Sequence, residues 1–404
     1  MHPARLMDLD TFHWLLGDAG QRLLSQATAS DLSDAGRLST LSHLRRGATP
    51  FQAAAAYETA WLRQRASTKF ARAGQMYFTR EALEQASGEM VGTYRASHFA
   101  AFDVVGDWCC SIGGDAIVMA AQTERMTVHA LDIDPLRLAM AAENARAYGV
   151  GERIHWIEAD LTQATLPRVQ AAFFDPARRA GNRRAVRLAD YVPPVELVQI
   201  WRKQVQRIGV KVAPGISDAE LNALQPTQVE FISVDGDMKE ATLWFGDGLP
   251  IGRRATLLRQ GQLPITLDAV PISARPALSM PQAYVYEPDP AILRAHLVEQ
   301  VALELGAAQL DAQIAYLTSS RFTPTRLARC WRVLDWLPFN LKPLRARLRQ
   351  MDAGSVTVKK RGSPVDTDAL AKQLSGPGAR EWVVVLTQAE GRPVAMICEG
   401  PIQN

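Results

Sequence analysis

A chain of 404 residues has room for two or three domains and at least one sizeable buried core. Its hydrophobic share is that of an ordinary globular protein, which excludes global disorder, and an average net charge of +3 announces no polyanion partner. Four scattered cysteines (Cys109, Cys110, Cys330, Cys398), histidines without ligand spacing, and no apolar run near the ~20 residues of a membrane span argue against a disulfide framework, a metal site and a membrane-spanning segment. Residues 1–22 lack a continuous apolar signal region, so a reducing cytoplasm is the expected compartment.

Residues 8–100 read as helices, because apolar positions recur at three- and four-residue spacing (Phe12, Leu15, Leu16; Ala54, Tyr57, Trp61, Leu62). From Val104 short apolar runs alternate with helical segments: VVGDWCCSI, TVHALDID, IHWIEAD, AAFFDPA, a helix near 195–205, IGVKVAP, a short helix at 217–224, QVEFISVDGDM and EATLWFG. Strand alternating with helix predicts a mostly parallel sheet covered on both faces. Gly236 and Asp237 separate the last two strands, which predicts a terminal antiparallel hairpin on a seven-stranded, Rossmann-like sheet. The proline-rich stretch 249–285 reads as a connector with a small hairpin formed by ATLLRQ and PITLDA. Beyond it come an amphipathic helix at 291–305, a strand at 329–334, a helix at 341–349, the strand SVTVKK, a helix at 366–374, and a closing hairpin of WVVVLT with PVAMIC. The expected division is a helical region at 1–100, a Rossmann-like cofactor-binding core at 101–248, the connector, and a small basic α/β domain at 286–404.

The chemistry-bearing residues sit at strand ends. Asp107-Trp-Cys-Cys-Ser111-Ile-Gly113-Gly114-Asp115 closes the first strand with a glycine turn, where the backbone can approach a ligand. Asp132, Asp160 and Asp175-Pro176 end the next three strands. With Asp107 they place four acidic residues along one crevice at the carboxyl edge of the sheet. Asp132 suits ribose hydroxyls, Asp160 an adenine amine, and Asp175 the place where a transferred group would sit. A nicotinamide site would present G-x-G-x-x-G to a pyrophosphate. Ser111-x-Gly113-Gly114 followed by acidic Asp115 instead suits a sulfonium cofactor, which carries an ammonium and no phosphate.

These motifs resemble the trimethylguanosine synthase group of class I RNA methyltransferases, and more closely the bacterial methyltransferases with a carboxyl-terminal THUMP-like domain. The resemblance is carried by DWCCSIGGD, ALDIDPLRLAMAAENARAYGV, WIEADL and FFDPARR, with YFTRE upstream. It implies a class I methyltransferase fold, S-adenosylmethionine as cofactor, and cofactor contacts from Phe78, Thr79, Asp107, Ser111, Gly113, Asp132 and Asp160. It also implies a structured RNA partner, with tRNA or rRNA the first candidates. Two departures stand out: Ser111 replaces the usual first glycine, and the fourth strand ends Asp175-Pro176-Ala177-Arg178 where the related amine methyltransferases carry an aromatic. An arginine there can stack on a base or grip a phosphate. Asp175 with Pro176 is the expected catalytic pair, Asp175 orienting or deprotonating the acceptor.

Basic residues are segregated. Arg178, Arg179, Arg183, Arg184 and Arg187 follow Asp175, and between 321 and 361 eleven Lys and Arg face only Asp335 and Asp352. Such an excess is the footprint of a phosphate-backbone partner, with Arg178, Arg179, Arg183, Arg345, Arg349, Lys359 and Lys360 as expected substrate contacts. The function expected is methyl transfer from S-adenosylmethionine to a base of a structured RNA. The rival readings are methylation of a small molecule or protein, and an RNA-binding adaptor with a degenerate core.

Overall fold

The computed structural model of the protein describes residues 7–178 and 187–402, which divide into two compact units: 1–227 with 242–249, and 228–241 with 250–404.

In the first unit the amino-terminal helices are α1 (Leu9–Leu16), α2 (Asp18–Thr28), α3 (Arg37–Leu44), α4 (Pro50–Ala66), α5 (Arg80–Gln85) and α6 (Glu89–Ser97). Local chemistry sets their starts. Asp8 caps α1, and Thr49 with Gln52 forms a reciprocal capping box that opens α4 at Pro50. The alternating region follows as β1 (Val104–Trp108), α7 (Gly114–Ala120), β2 (Thr127–Asp132), α8 (Pro135–Tyr148), β3 (Ile154–Glu158), β4 (Ala171–Phe174), the two-residue pair β5 (Ala177–Arg178) and β6 (Tyr191–Val192), α9 (Val198–Trp201), β7 (Arg207–Val212) and α10 (Asp218–Leu224). β3, β2, β1, β4 and β7 lie side by side in that order, all parallel. Parallel strands need both faces covered, and β4 is buried at every residue.

The amino-terminal helices are part of this unit's core, not a detached lid. Phe12, Leu15, Tyr57 and Phe78 join one buried cluster with Ile112 of the glycine turn and with Leu136 and Met140 of α8. That burial is the main force holding the segment at 76–80 beside the strand ends.

β8 (Gln228–Val234) and β9 (Asp237–Gly246) form the expected hairpin. Its turn is Asp235-Gly236, both left-handed (φ 52° and 86°), the geometry that matches strand twist. Residues 242–246 of β9 belong to the first unit, where β9 lies beside β7. In the second unit β9 lies beside β8, so the seven expected strands follow the class I order, third-second-first-fourth-fifth-seventh-sixth. Two more strands extend it: β10 (Gly252–Leu258) runs parallel to β8, and β11 (Ile265–Asp268) pairs antiparallel with β10. The expected connector hairpin therefore continues the sheet instead of standing alone.

The second unit also carries β12 (Tyr284–Pro288), α11 (Pro290–Arg294), α12 (Val298–Leu305), β13 (Ala308–Asp311), β14 (Ile314–Ser319), β15 (Ala328–Pro338), α13 (Leu341–Gln350), β16 (Ala353–Lys360), α14 (Thr367–Leu374), β17 (Arg380–Ala389) and β18 (Arg392–Ile402). Seven of these strands form a sheet in the order β13-β14-β12-β15-β18-β17-β16. The helix expected over 291–305 is two helices, because His296 is left-handed (φ 59°) and breaks the ladder. Leu344 and Leu348 of α13 pack with Leu370, Leu374 and Trp382, leaving the opposite face of α13 to solvent.

Candidate active site

The glycine turn departs from ideal backbone at three residues. Cys109, Ser111 and Gly113 are all left-handed (φ 65°, 49° and 80°). Only Gly113 meets this without a side-chain penalty, and a Cβ there would lie 2.9 Å from Trp156 Cη2 and 3.0 Å from Ala141 Cβ. Ser111 takes a conformation that costs an L-residue about 1–2 kcal/mol, the physical reason a glycine is ordinary at that place. Its Oγ is buried and without a hydrogen-bond partner among the described residues.

Asp132 anchors this turn. Its two carboxylate oxygens accept the backbone N–H of Ser111 (2.8 Å) and of Asp134 (3.0 Å). Asp134 in turn caps α8, accepting from the Leu136 N–H at 3.0 Å. Burial nevertheless raises the Asp132 carboxyl above the usual range.

Behind the turn lies a buried cluster of charge. Asp107 is 1% exposed, and its carboxyl is pushed well above the usual carboxylate range, first by burial, then by Asp115 and Asp175. Its Oδ2 has no hydrogen-bond partner among the described residues. Asp115 is paired with the fully buried Arg95 of α6, whose guanidinium also donates to Ser87 Oγ (3.2 Å) and lies 4.4 Å from the Phe173 ring centroid. Asp175, at the end of β4, is paired with Lys211 of β7 at 2.7 Å. Burial raises its carboxyl and Lys211 opposes the rise. Cys109 faces the same charges: burial, then Asp132, Asp175 and Asp107, keep its thiol neutral. Three carboxyls, Asp107, Asp115 and Asp175, thus share two bases, Arg95 and Lys211, and Asp107 is the one with no ion pair among the described residues.

The upstream segment is tied to this site by a residue that pattern reading did not single out. Asn144 of α8 is fully buried; its Oδ1 accepts from the Tyr77 N–H (2.7 Å), and its Nδ2 donates to the carbonyls of Tyr77 (3.1 Å) and Ile112 (3.0 Å). Phe78 is buried with its ring 5.7 Å from that of Phe70, and Thr79 caps α5 by accepting from the Ala82 N–H. Asp160 sits on a half-exposed turn after β3. Its oxygens accept from Thr162 N (2.9 Å), Thr162 Oγ1 (2.7 Å) and Gln163 Nε2 (3.0 Å), bonds that hold its carboxyl below the usual range. Pro176 is buried, and β5 follows it, held through Tyr191 of β6, whose hydroxyl accepts from the Ala213 N–H at 2.7 Å.

Three of these residues, Arg95, Lys211 and Asn144, lie outside the sequence expectations. The available signal was a polar residue in an otherwise apolar run, as in IGVKVAP and AAENA. One expectation changes its basis: Asp115 does not present a free carboxylate against a pyrophosphate, because Arg95 neutralises it. The carboxyl left without a basic partner is Asp107, whose charged form a cationic ligand would favour.

The basic residues divide. Arg179, Arg183 and Arg184 lie outside the described residues, and Arg178 is described only as part of β5. On α13, Lys342, Arg345 and Arg349 are exposed and recur at three- and four-residue spacing, one stripe opposite the buried Leu344 and Leu348. Arg345 Nε donates to the Gln373 carbonyl (2.8 Å). Lys359 is committed elsewhere: it pairs with Glu287 at 2.6 Å and lies 4.9 Å from the Trp331 ring centroid. Lys360 is exposed, its Nζ 2.6 Å from the Val365 carbonyl. Among the described residues no group of His, Cys, Asp and Glu could hold a metal ion, and no helix is long and apolar enough to cross a membrane.

A parallel sheet in this order, with a glycine turn and acidic strand ends along one edge, defines a Rossmann-like class I methyltransferase. The comparisons with known proteins agree. Residues 102–197 match the family described as RNA cap guanine-N2 methyltransferase, 328–400 a THUMP domain-like family, and 8–66 a domain of unknown function. Curated S-adenosylmethionine-dependent methyltransferases of Mycobacterium tuberculosis, in strains H37Rv and CDC 1551, are each 37% identical over 346 residues, covering 82% of this chain and 91% of theirs. A crystal structure of a putative methyltransferase from Porphyromonas gingivalis W83 has the same fold, with a TM-score of 0.74 at 19% identity over 97% of each chain. The chain belongs to the S-adenosylmethionine-dependent methyltransferases represented by these mycobacterial relatives.

The residues present fit that cofactor. A ligand bearing an ammonium and a sulfonium would favour the charged form of Asp107 and give its orphaned Oδ2 a donor, whereas a buried anion beside it would disfavour that form further.

Proposed function

We propose that the protein transfers a methyl group from S-adenosylmethionine to a base of a structured RNA, with tRNA and rRNA the first candidates. The observation that carries this reading is Asp175, half-accessible at the end of β4 with a buried proline behind it, in a chain whose α13 presents an exposed basic stripe.

When bound, the cofactor supplies an electrophilic methyl group on a sulfonium. Asp107 would accept from its ammonium, the backbone at Ser111 and Gly113 would admit its methionine end, and Asp132 would take the ribose hydroxyls. Asp160 would meet the adenine amine by releasing one of its turn hydrogen bonds, with Phe78 and Thr79 closing the near side. The displacement is in-line, so these residues accelerate it mainly by position and by excluding water. Asp175 accepts a hydrogen from the attacking nitrogen. Asp175 would take the proton from that nitrogen as it acquired the methyl group, the bound cofactor keeping the electron pair of the broken carbon–sulfur bond. Lys342, Arg345, Arg349 and Lys360 supply the phosphate contacts, together with the arginines that follow Asp175.

Incubating the full chain with tritiated S-adenosylmethionine and total RNA, size-fractionated into tRNA and rRNA, tests this. Label in an RNA fraction that disappears in Asp175→Ala supports it. Label only in a small-molecule or protein extract would move the reading to those acceptors, and cofactor binding without transfer would favour the RNA-binding adaptor.

A further inference from the structure

Lysine is rare in the buried part of a parallel strand, because desolvation penalises its charge unless a partner compensates. Lys211 sits in β7 with its side chain only 15% exposed. Its Nζ lies 2.7 Å from Asp175 Oδ2 and 3.4 Å from the carbonyl of Gln85, the last residue of α5. Asp175 Oδ1 accepts no hydrogen bond among the described residues. A buried ion pair of this kind is seldom more stabilising than apolar packing of the same volume, so stability alone does not account for it.

We propose that Lys211 is a positioning residue for methyl transfer: its ammonium clasps Oδ2 of Asp175, holds the group as a carboxylate, and leaves Oδ1 to the acceptor. This rests on the assignment of Asp175 to the acceptor made above. The groups facing Asp175 show why a dedicated cation is needed. Asp115 on α7 raises the Asp175 carboxyl, Asp107 on β1 is a second buried carboxyl whose own rise Asp175 adds to, and the Cys109 thiol is neutral. Among the described residues, Arg95 on α6 is a second cation that lowers the Asp175 carboxyl, and it is already paired with Asp115. Without Lys211, burial and Asp115 would push the Asp175 carboxyl further toward its protonated form, a weaker acceptor that cannot take the proton of an attacking amine. The point matters more in this chain than where an aromatic follows the Asp-Pro pair. With Arg178 at the place of that ring, the acceptor has no aromatic to stack on, and its orientation depends more on the carboxylate.

The test is a carboxyl titration by NMR of the full chain labelled with carbon-13 at the aspartate side chains, the Asp175 resonance being identified by its loss in Asp175→Asn. In Lys211→Met its midpoint is expected at least about one pH unit above that of the unsubstituted protein, and in Lys211→Arg close to it. Calorimetric affinity for S-adenosylhomocysteine is expected to stay within about threefold in both variants. In methyl transfer to total RNA, the acidic limb of the pH–rate profile should move upward with the midpoint, a change that a merely structural lysine would not produce. Should Lys211→Met fail to fold, Lys211→Gln carries the same expectations. An unmoved midpoint in a folded variant, or a fall of about tenfold or more in S-adenosylhomocysteine affinity, overturns the proposal. A shifted midpoint without transfer to any RNA would instead sink the RNA reading and keep the Lys211–Asp175 coupling.

Discussion

Replacing Asn144 by alanine probes how the upstream segment is fastened to the glycine turn. The change leaves three backbone groups buried without their partner: the Tyr77 N–H and the carbonyls of Tyr77 and Ile112. Each orphaned group costs about 1–3 kcal/mol, the N–H most, since a carbonyl has a second lone pair to offer. Summed with allowance for non-additivity, the loss is about 3–5 kcal/mol, a large fraction of the roughly 5–15 kcal/mol that holds a domain folded. Two compact units need not unfold together, so a single unfolding midpoint is a poor readout. Hydrogen exchange over 70–80 and 110–116 reports on the first unit alone, and it should quicken by at least about 100-fold. S-adenosylhomocysteine binding should weaken by at least about tenfold, because Phe78, Thr79 and Gly113 lose their common tether. Exchange within about fivefold of the unsubstituted protein would falsify the argument that these three bonds are buried and unreplaced by water.

Other outcomes follow from the same geometry. Asp132→Ala should abolish calorimetric binding of S-adenosylmethionine and S-adenosylhomocysteine, a loss of at least about 100-fold; affinity kept within about tenfold would remove Asp132 from the cofactor site. The Asp107 carboxyl has a folded pKa raised above its unfolded value, so the folded chain binds more protons there than the unfolded one. The stability this contributes is complete below the ordinary carboxylate range and is lost as pH rises through the folded value. Thermal unfolding should show that loss on the alkaline side of about pH 4, and Asp107→Asn should flatten it. An unchanged slope would place Asp107 in contact with solvent. Replacing Lys342, Arg345 and Arg349 together by alanine should lower the salt slope of tRNA binding by about two to three and leave S-adenosylhomocysteine affinity unchanged; an unaltered slope would clear α13 of phosphate contact.

Apart from the two-residue pair β5 and β6, the order of elements from β1 to β9 was legible because alternation of short apolar runs with amphipathic stretches is a local property. The four acidic strand ends were legible for the same reason: in a parallel sheet the carboxyl ends of successive strands share one edge. Between 284 and 319 the reading was thinner, and β12, β13 and β14 are short strands there without a clear alternation to mark them. The single helix expected over 291–305 failed at His296, where one left-handed residue divides a continuous amphipathic pattern.

The class of fold, the cofactor, and the acidic strand ends along one edge of the sheet are therefore set by the sequence alone, since each depends on periodicity and on residue types at fixed offsets. Which charges neutralise one another was decided only in three dimensions. Arg95 reaches Asp115 from 20 positions away, Lys211 reaches Asp175 from 36, and Lys359 is taken by Glu287 from 72. A lysine or arginine has the same formal charge whether it grips a phosphate or a buried carboxylate. Burial raises the energy of an unpaired charge until it finds a partner, and the partner is whichever carboxylate the packing brings within reach.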